Sequence, residues 1–328
     1  MTHSIPRGKV TVFGCGGTGI NIASRYLECA GKEIAGIAVM EPYFIDTSHA
    51  NIGDKIPDER VFVVEEKEGS GKIRTENRVE ISRAIAPVLQ KFTPGDVNLV
   101  VFSASGGTGS VFGPLLVSKL LENGANVLAL VIGGDECERA ATNTLNTVKS
   151  LEGIAQKTGK SVLMYYDHLK PNDRRSAIDD RVRFVISSVA HLASRRNAEL
   201  DLRDISNFLN FATPVTSVKP QLSVLEVYRS TEEANEAAPF AIAVASLLQN
   251  PDAGSIDFRP EYRCTGYPTE PLPQGIESLH FVAGVDPVHG TFKNLSKSNE
   301  EITGAKNSRT IRDSIVKANE ADEDGMVF

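Results

Sequence analysis

The chain has 328 residues, 41% hydrophobic and 23% charged, a globular balance for about two domains of ~100–200 residues each. Its net charge of −7 excludes a general coating of DNA, and an aromatic content of 6% without Trp excludes a stacking platform for single-stranded nucleic acid. The apolar runs at 127–132 and 240–245 fall far short of the ~20 residues of a membrane span, and residues 1–9 lack the apolar core of a secretory signal.

Residues 9–13 read as a buried strand that runs into Gly14-Cys15-Gly16-Gly17-Thr18-Gly19. Ile20, Ala23, Tyr26 and Leu27 then share one helix face. A second buried strand is expected at 34–40, a short one at 61–64 and a helix at 74–92, stopped by Thr93-Pro94-Gly95. A third buried strand, 97–102, runs into Ser103-Ala104-Ser105-Gly106-Gly107-Thr108-Gly109-Ser110 and a helix up to Asn123-Gly124. Strand 126–132, helix 138–157 and strand 161–165 continue the alternation, which predicts an α/β fold with a parallel, doubly wound sheet.

The pattern changes after residue 170. Residues 176–196 form a long helical stretch with Ile178, Val182, Val185, Ile186, Val189 and Leu192 on its apolar face. Strands at 221–228, 255–264 and 279–284 and a helix at 231–249 predict a smaller α+β domain. The domains expected are therefore 1–170, a central helix 171–197, a second domain 198–300 and a C-terminal segment 301–328 with a helical stretch at 309–318. Cys15, Cys29, Cys137 and Cys264 have neither zinc-knuckle nor CxxC spacing, so four reduced, buried thiols are expected. His168 and His191 read as ordinary, partly exposed residues, and no histidine is placed as an acid or base.

Gly14-x-Gly16-x-x-Gly19 follows a strand and opens a helix, the context in which backbone N–H groups and the helix N-terminus attract a phosphate. Alone it fits an NAD-type fingerprint, with Glu41 at the end of the second expected strand as the ribose-binding acid. The loop 105–110 has the same context, and two such loops can grip one phosphate chain from two sides. An NAD-dependent oxidoreductase leaves that second loop without a role. No Walker A loop is present: Gly153 and the Gly159-Lys160-Ser161 triplet are separated by five residues, and a helix precedes them instead of a strand.

Ser105-Gly106-Gly107-Thr108-Gly109-Ser110 resembles the tubulin/FtsZ signature, with Val111 where that family usually has a last glycine. Gly14-Cys15-Gly16-Gly17-Thr18-Gly19-Ile20-Asn21 is similar to the first FtsZ phosphate loop, with its closing Asn in register. The resemblance implies a tubulin/FtsZ-like GTPase that binds GTP or GDP with Mg²⁺ carried by phosphates and water rather than by metal ligands of the protein. It implies Asp46 in the second loop, Ser70-Gly71-Lys72 as the γ-phosphate-sensing third, and Asp135 or Glu138 against the ribose. It also implies that Asp179 reads guanine, whose N1–H and amino group a carboxylate can accept, with Asn21 as a second base contact.

Glu199-Leu200-Asp201-Leu202-Arg203-Asp204 is similar to the loop of this family that serves the next subunit's nucleotide, with Glu199 in place of Asn. Asp201 and Asp204 are thereby implied to position the attacking water in trans. Asp201 is also suited to cap the following helix, with Asp204 in its first turn. Such catalysis requires head-to-tail contact, a heterologous interface that propagates into a filament.

Glu320, Asp322, Glu323 and Asp324 precede Met326-Val327-Phe328, an acidic tail suited to docking on the next subunit. The compact length and this tail look most like the phage-encoded tubulins of large Pseudomonas phages. That resemblance implies dynamic filaments in the cytoplasm of the infected host cell, which position phage DNA and transport capsids, with no direct nucleic-acid or membrane contact. A homologue that binds nucleotide without turning it over is the remaining alternative.

Overall fold

The computed structural model describes residues 6–64, 68–170, 172–252 and 254–307. The helical stretch expected at 309–318 and the acidic tail lie outside the described residues.

The first half alternates as expected. Strands β1 (Lys9–Cys15), β2 (Val39–Asp46), β3 (Val61–Val63), β4 (Val97–Ser103), β5 (Val127–Gly134) and β6 (Val162–Leu169) are joined in part by helices α1 (Gly16–Ala23), α2 (Arg78–Lys91), α3 (Gly109–Glu122) and α4 (Glu138–Thr158). Helix α5 (Arg175–Leu192) then leads to β7 (Asn197–Ala198) and α6 (Leu202–Leu209). Strands β8 (Leu222–Tyr228), β9 (Ala243–Leu248), β10 (Tyr262–Pro268) and β11 (Ser278–Gly284), helix α7 (Thr231–Asn235) and helix α8 (Asp286–Asn307) complete the chain.

Among the described residues, eleven strands share one sheet in the order β3-β2-β1-β4-β5-β6-β8-β11-β9-β10-β7. The run from β3 to β8 is parallel, so the loops that follow these strands leave from one, C-terminal, edge of the sheet. The second half joins through Val162–Met164 of β6, paired with Leu222–Val224 of β8, and β11 then runs antiparallel to both β8 and β9.

Side-chain alternation along the strands builds a core on each sheet face. Val10, Val12, Leu99, Val101, Leu128 and Leu130 pack with α1, α5 and α6, whereas Phe13, Val100, Phe102, Ala129 and Val131 pack with α2, α3 and α4. The six apolar positions named on α5 are all buried. Gly19 lets α1 lie close on β4: a Cβ there would stand 2.1 Å from the Val101 carbonyl oxygen. Helix α8 turns back onto the first half, where Leu295 joins the core, Thr142 Oγ1 donates to Asn299 Oδ1 at 3.0 Å and Ser298 Oγ to Asp135 Oδ2 at 2.8 Å.

Six local expectations are corrected. The second strand is 39–46, not 34–40, because Gly36 takes φ +79° and the Ala38 N–H donates to the Ala190 carbonyl of α5 instead of to a neighbouring strand. The helix expected at 231–249 stops at Asn235, and its alanine-rich remainder includes β9, buried on both faces and so without alternation. The strand expected at 255–264 starts at Tyr262, and α8, which the polar pattern hid, runs through position 300. His191 is buried beside Gly36, and of the four free thiols Cys137 is exposed and Cys29 half-buried.

His280 on β11 is fully buried among hydroxyls, with Ser246 Oγ at 2.9 Å from Nδ1 and Ser278 and Thr231 oxygens at 3.1 and 3.2 Å from Nε2. Burial holds its imidazole down at about 4, with the Arg263 charge adding to the shift and Glu232 opposing it. The unfolded chain therefore takes the extra proton between about pH 6.5 and 4, and stability falls as pH drops through that window. Urea unfolding should show about 2 kcal/mol lost from this group between pH 7 and 5, absent in His280→Asn. An unchanged slope in the variant would remove His280 as the cause.

Candidate functional site: a cleft between the glycine loops

Helices α1 and α3 begin at the C-terminal ends of the neighbouring strands β1 and β4, and neither start carries a side-chain cap. Helix starts without a side-chain cap are suited to attract an anion. Gly16, Gly17, Thr18 and Gly109 from these starts line a cleft of about 700 Å³.

The loops interlock where side chains have no room. A Cβ on Gly16, which has φ +69°, would stand 3.0 Å from the Gly109 nitrogen, and one on Gly107 would stand 2.5 Å from Ser70 Cβ. Gly17 packs on Asn51, whose amide donates to Asp46 Oδ2 at 2.8 Å, while the Thr47 N–H donates to Oδ1 at 2.7 Å. Burial pushes the Asp46 carboxyl above its ordinary range, and these donors oppose that rise. A hydroxyl chain then crosses the cleft floor: Thr47 Oγ1 to Thr108 Oγ1 at 2.7 Å, Thr108 Oγ1 to Ser70 Oγ at 3.1 Å, and the Asn77 amide to Ser70 Oγ at 3.1 Å.

Asn143, on α4, clamps two loops at once. Its Nδ2 donates to the carbonyls of Lys72 at 2.9 Å and Ser105 at 3.1 Å, with Gly106 at 3.4 Å. Sequence reasoning missed it. The available signal was Asn143, Thr144 and Thr147 on a helix face that continues as Val148, Leu151 and Ala155, all buried.

At the other end of the cleft, Asn21 Nδ2 donates to Asp179 Oδ2 at 2.9 Å. Burial pushes the half-buried Asp179 carboxyl upward, while Arg183, Asn21 and Arg25 oppose it. Both expected base contacts therefore face one end of the same cavity, beside Arg175 and Ile178 of α5.

Of the other expected nucleotide contacts, Cys15, Asp46, Ser70, Gly71 and the run Ser105 to Gly109 line the cleft. Gly14 and Ser110 do not. A Cβ on Gly14 would meet the Gly19 carbonyl at 2.6 Å, and Ser110 is fully buried with its hydroxyl donated to the Gly106 and Gly107 carbonyls. They shape the loops from behind. Glu138 and Asp135 are also absent from the lining, which takes Glu136 instead. Asp135 faces His168 at 3.3 Å and accepts from Ser298, away from the cavity. Glu41 lies early in β2 and accepts from Arg60 at 2.7 Å, so it is not a ribose acid at a strand end.

Asp201 and Asp204 lie far from this cleft. Helix α5 starts at the cavity and runs 18 residues, about 27 Å, to its other end. There Arg195 pairs at 2.6 Å with Asp96, whose other oxygen accepts the Lys9 N–H, so the segment sits at the N-terminal ends of β1 and β4. Asp201 then caps α6, accepting the N–H groups of Arg203 and Asp204, and Asp204 returns the bond to the Asp201 N–H at 3.1 Å. This reciprocal box leaves both carboxylates, Asp201 exposed and Asp204 half-buried, with free lone pairs.

No group of three or more His, Cys, Asp or Glu among the described residues could hold a metal ion. Asp46 already spends both oxygens on protein donors. The donor set fits a Mg²⁺ delivered by a polyphosphate and held by its oxygens and water, and does not fit one fixed by the chain alone. No helix among the described residues is long and apolar enough to cross a membrane.

The fold is that of the tubulin/FtsZ superfamily. Residues 200–285 match the family model of the phage tubulin-like protein C-terminal domain. The chain is 30% identical over 324 residues to a phage tubulin-like protein of Pseudomonas phage PhiPA3, covering 97% of this chain and 98% of the relative. It superposes with TM-score 0.88 and 28% identity on a protofilament of TubZ from bacteriophage PhiKZ, covering 97% of this chain and 99% of that one. A structure of the phage tubulin PhuZ with GDP gives 0.88 and 26%, over 98% and 100% of the two chains. The chain belongs to the phage tubulin-like proteins.

Asn143→Ala should cost about 1–3 kcal/mol in urea unfolding, because three carbonyls lose one shared donor. Asn143→Asp should cost more, since a carboxylate would face those oxygens. Wild-type stability in both variants would mean that glycine packing alone holds the loops.

Proposed function

We propose that this chain binds and hydrolyses GTP and assembles head to tail into dynamic filaments, each subunit's Asp201 and Asp204 completing the cleft of the next. The observation that carries this reading is polarity: uncapped helix starts and glycine loops converge at one end of α5, and a carboxylate pair, Asp201 exposed and Asp204 half-buried, follows its other end. A subunit divided in this way cannot bring its own acids to its own phosphates. Stacking in one orientation does so at every interface, and such contacts propagate.

In this reading residues 1–170 bind nucleotide, 171–197 form the connecting helix, 198–300 carry the water-positioning loop, and 301–328 supply the tail that docks on the next subunit. The uncapped N–H groups of α1 and α3 hold phosphate oxygens, and Asp179 and Asn21 read the guanine edge. Asp201 orients and deprotonates the attacking water, and Asp204 holds it in line. Mg²⁺ neutralises phosphate charge when it enters with the triphosphate. The relatives' phage origin supports a filament in the host cytoplasm that positions phage DNA and carries capsids.

Light scattering of the purified chain should rise with GTP and Mg²⁺ above a threshold protein concentration, and not with GDP, ATP or NAD⁺. Phosphate release per subunit should increase once polymer forms. A flat signal with every nucleotide, with turnover independent of concentration, would overturn the proposal. Asp201→Asn keeps an efficient helix cap but removes the base. It should lower hydrolysis by about 10²-fold or more while polymer still forms and persists longer. Unchanged turnover in that variant would exclude Asp201 from the chemistry.

A further inference from the structure

We propose that a second cavity, where the turn after α1 meets α5 and the second half of the chain, binds a small planar aromatic anion: a ring that carries a carboxylate, sulfonate or phosphate. This cavity shares no lining residue with the nucleotide cleft, and the inference does not depend on how that cleft is read.

The first ground is the shape of the place. The cavity has about 550 Å³, within the ~300–1,000 Å³ typical of small-molecule sites. Arg25 and Tyr26 come from the turn that follows α1, Arg183 and Phe184 from α5, Arg229 from just after β8, and Ile276 from the segment before β11. Stretches distant in sequence thus meet around one volume. Tyr26, Phe184 and Ile276 pack against the core and give the cavity an apolar wall.

The second ground is charge. The chain carries a net charge of −7, yet this lining holds Arg25, Arg183 and Arg229 against a single carboxylate. That carboxylate, Asp180, is already paired with Arg183. Among the described residues no carboxylate forms an ion pair with Arg25 or Arg229. Arg25 acts on Asp179 only through its longer-range charge, and Glu233 accepts the Arg229 backbone N–H at 3.2 Å rather than its guanidinium. Tyr26 adds no negative charge: its hydroxyl donates to the Arg183 carbonyl at 3.1 Å, and burial pushes its pKa up to about 12. An excess of guanidinium beside an apolar wall selects an anion, which the forked N–H groups bind in pairs.

The third ground is the plane that Arg229 offers. Its guanidinium carbon stands 4.0 Å from the centroid of the Phe184 ring, so one face of a planar cation lies on an aromatic ring. The opposite face is left for a second ring. Phe184 already holds the guanidinium in place, so a stacking ligand orders little that is not ordered beforehand.

Fluorescence titration of the full chain with anilinonaphthalene sulfonate tests this, with N-phenylnaphthylamine as the same ring system without the charge. The sulfonate should saturate a single site per chain and bind about tenfold or more tighter than the amine. Arg25→Ala and Arg229→Ala should each weaken it about fivefold or more, with the urea midpoint unchanged because both side chains are exposed. Arg229→Lys keeps the charge without the plane and should weaken it nearly as much as Arg229→Ala. Saturating GDP should leave the sulfonate bound. Unaltered binding in both alanine variants, equal affinity for the charged and neutral probes, or full displacement by GDP would overturn the proposal. So would the lack of a saturable site, or full affinity in Arg229→Lys, which would remove the stacking on which the aromatic class rests.

Discussion

Two backbones pack tightly at Gly16 and Gly109, where Gly16 takes a φ of +69° and a Cβ would stand 3.0 Å from the Gly109 nitrogen, and the cleft follows from that contact. With the two loops pressed together, the starts of α1 and α3 face one volume instead of two. Each helix start brings N–H groups without intrahelical partners and a partial positive charge. Neither is spent on a side-chain cap. The electrostatics of the site thus arises from main-chain geometry, and the parallel order β2-β1-β4-β5 is what sets the strand ends side by side.

Around this contact the remaining loops are fastened by short polar side chains instead of by apolar packing. Asp46, Thr47, Thr108, Ser70 and Asn77 form one connected set, and Asn143 ties its far side to α4. Buried polar groups are costly when unpaired, so this set favours a single loop arrangement. Asp46 illustrates the balance: burial raises its pKa, and two donors from adjacent chain hold it against that rise.

Helix α5 fixes the distance between the cleft and the Asp201 segment. Its first turns line the cleft, its apolar face is buried along the sheet, and its last turn places the Asp201 segment at the opposite strand ends. A folded helix of this length keeps the Asp201 segment about 27 Å from the cleft of its own subunit. Helix α8, by contrast, returns along α4 and reaches Asp135, one residue from Glu136 in the cleft lining. The described part of helix α8 and the cleft are therefore neighbours.

By itself the sequence determined the alternating parallel half, both glycine loops with their strand–loop–helix setting, the buried stripe of α5 and the cap at Asp201. These are local: period, glycine placement and capping chemistry are written within a few residues. The resemblance to the tubulin/FtsZ family was legible at the same loops, and the match to phage tubulin-like relatives agrees with it. Only the tertiary structure decided the rest. The second strand shifted to 39–46 because Gly36 and the Ala190 carbonyl compete for its expected start, and β9 became a strand because burial on both faces erases the period that separates strand from helix. Glu136, not Asp135 or Glu138, joins the cleft because neighbouring residues on a turn point to different sides. Asn143 gains its role from partners more than 30 residues away in sequence, and no local pattern encodes a contact across that separation.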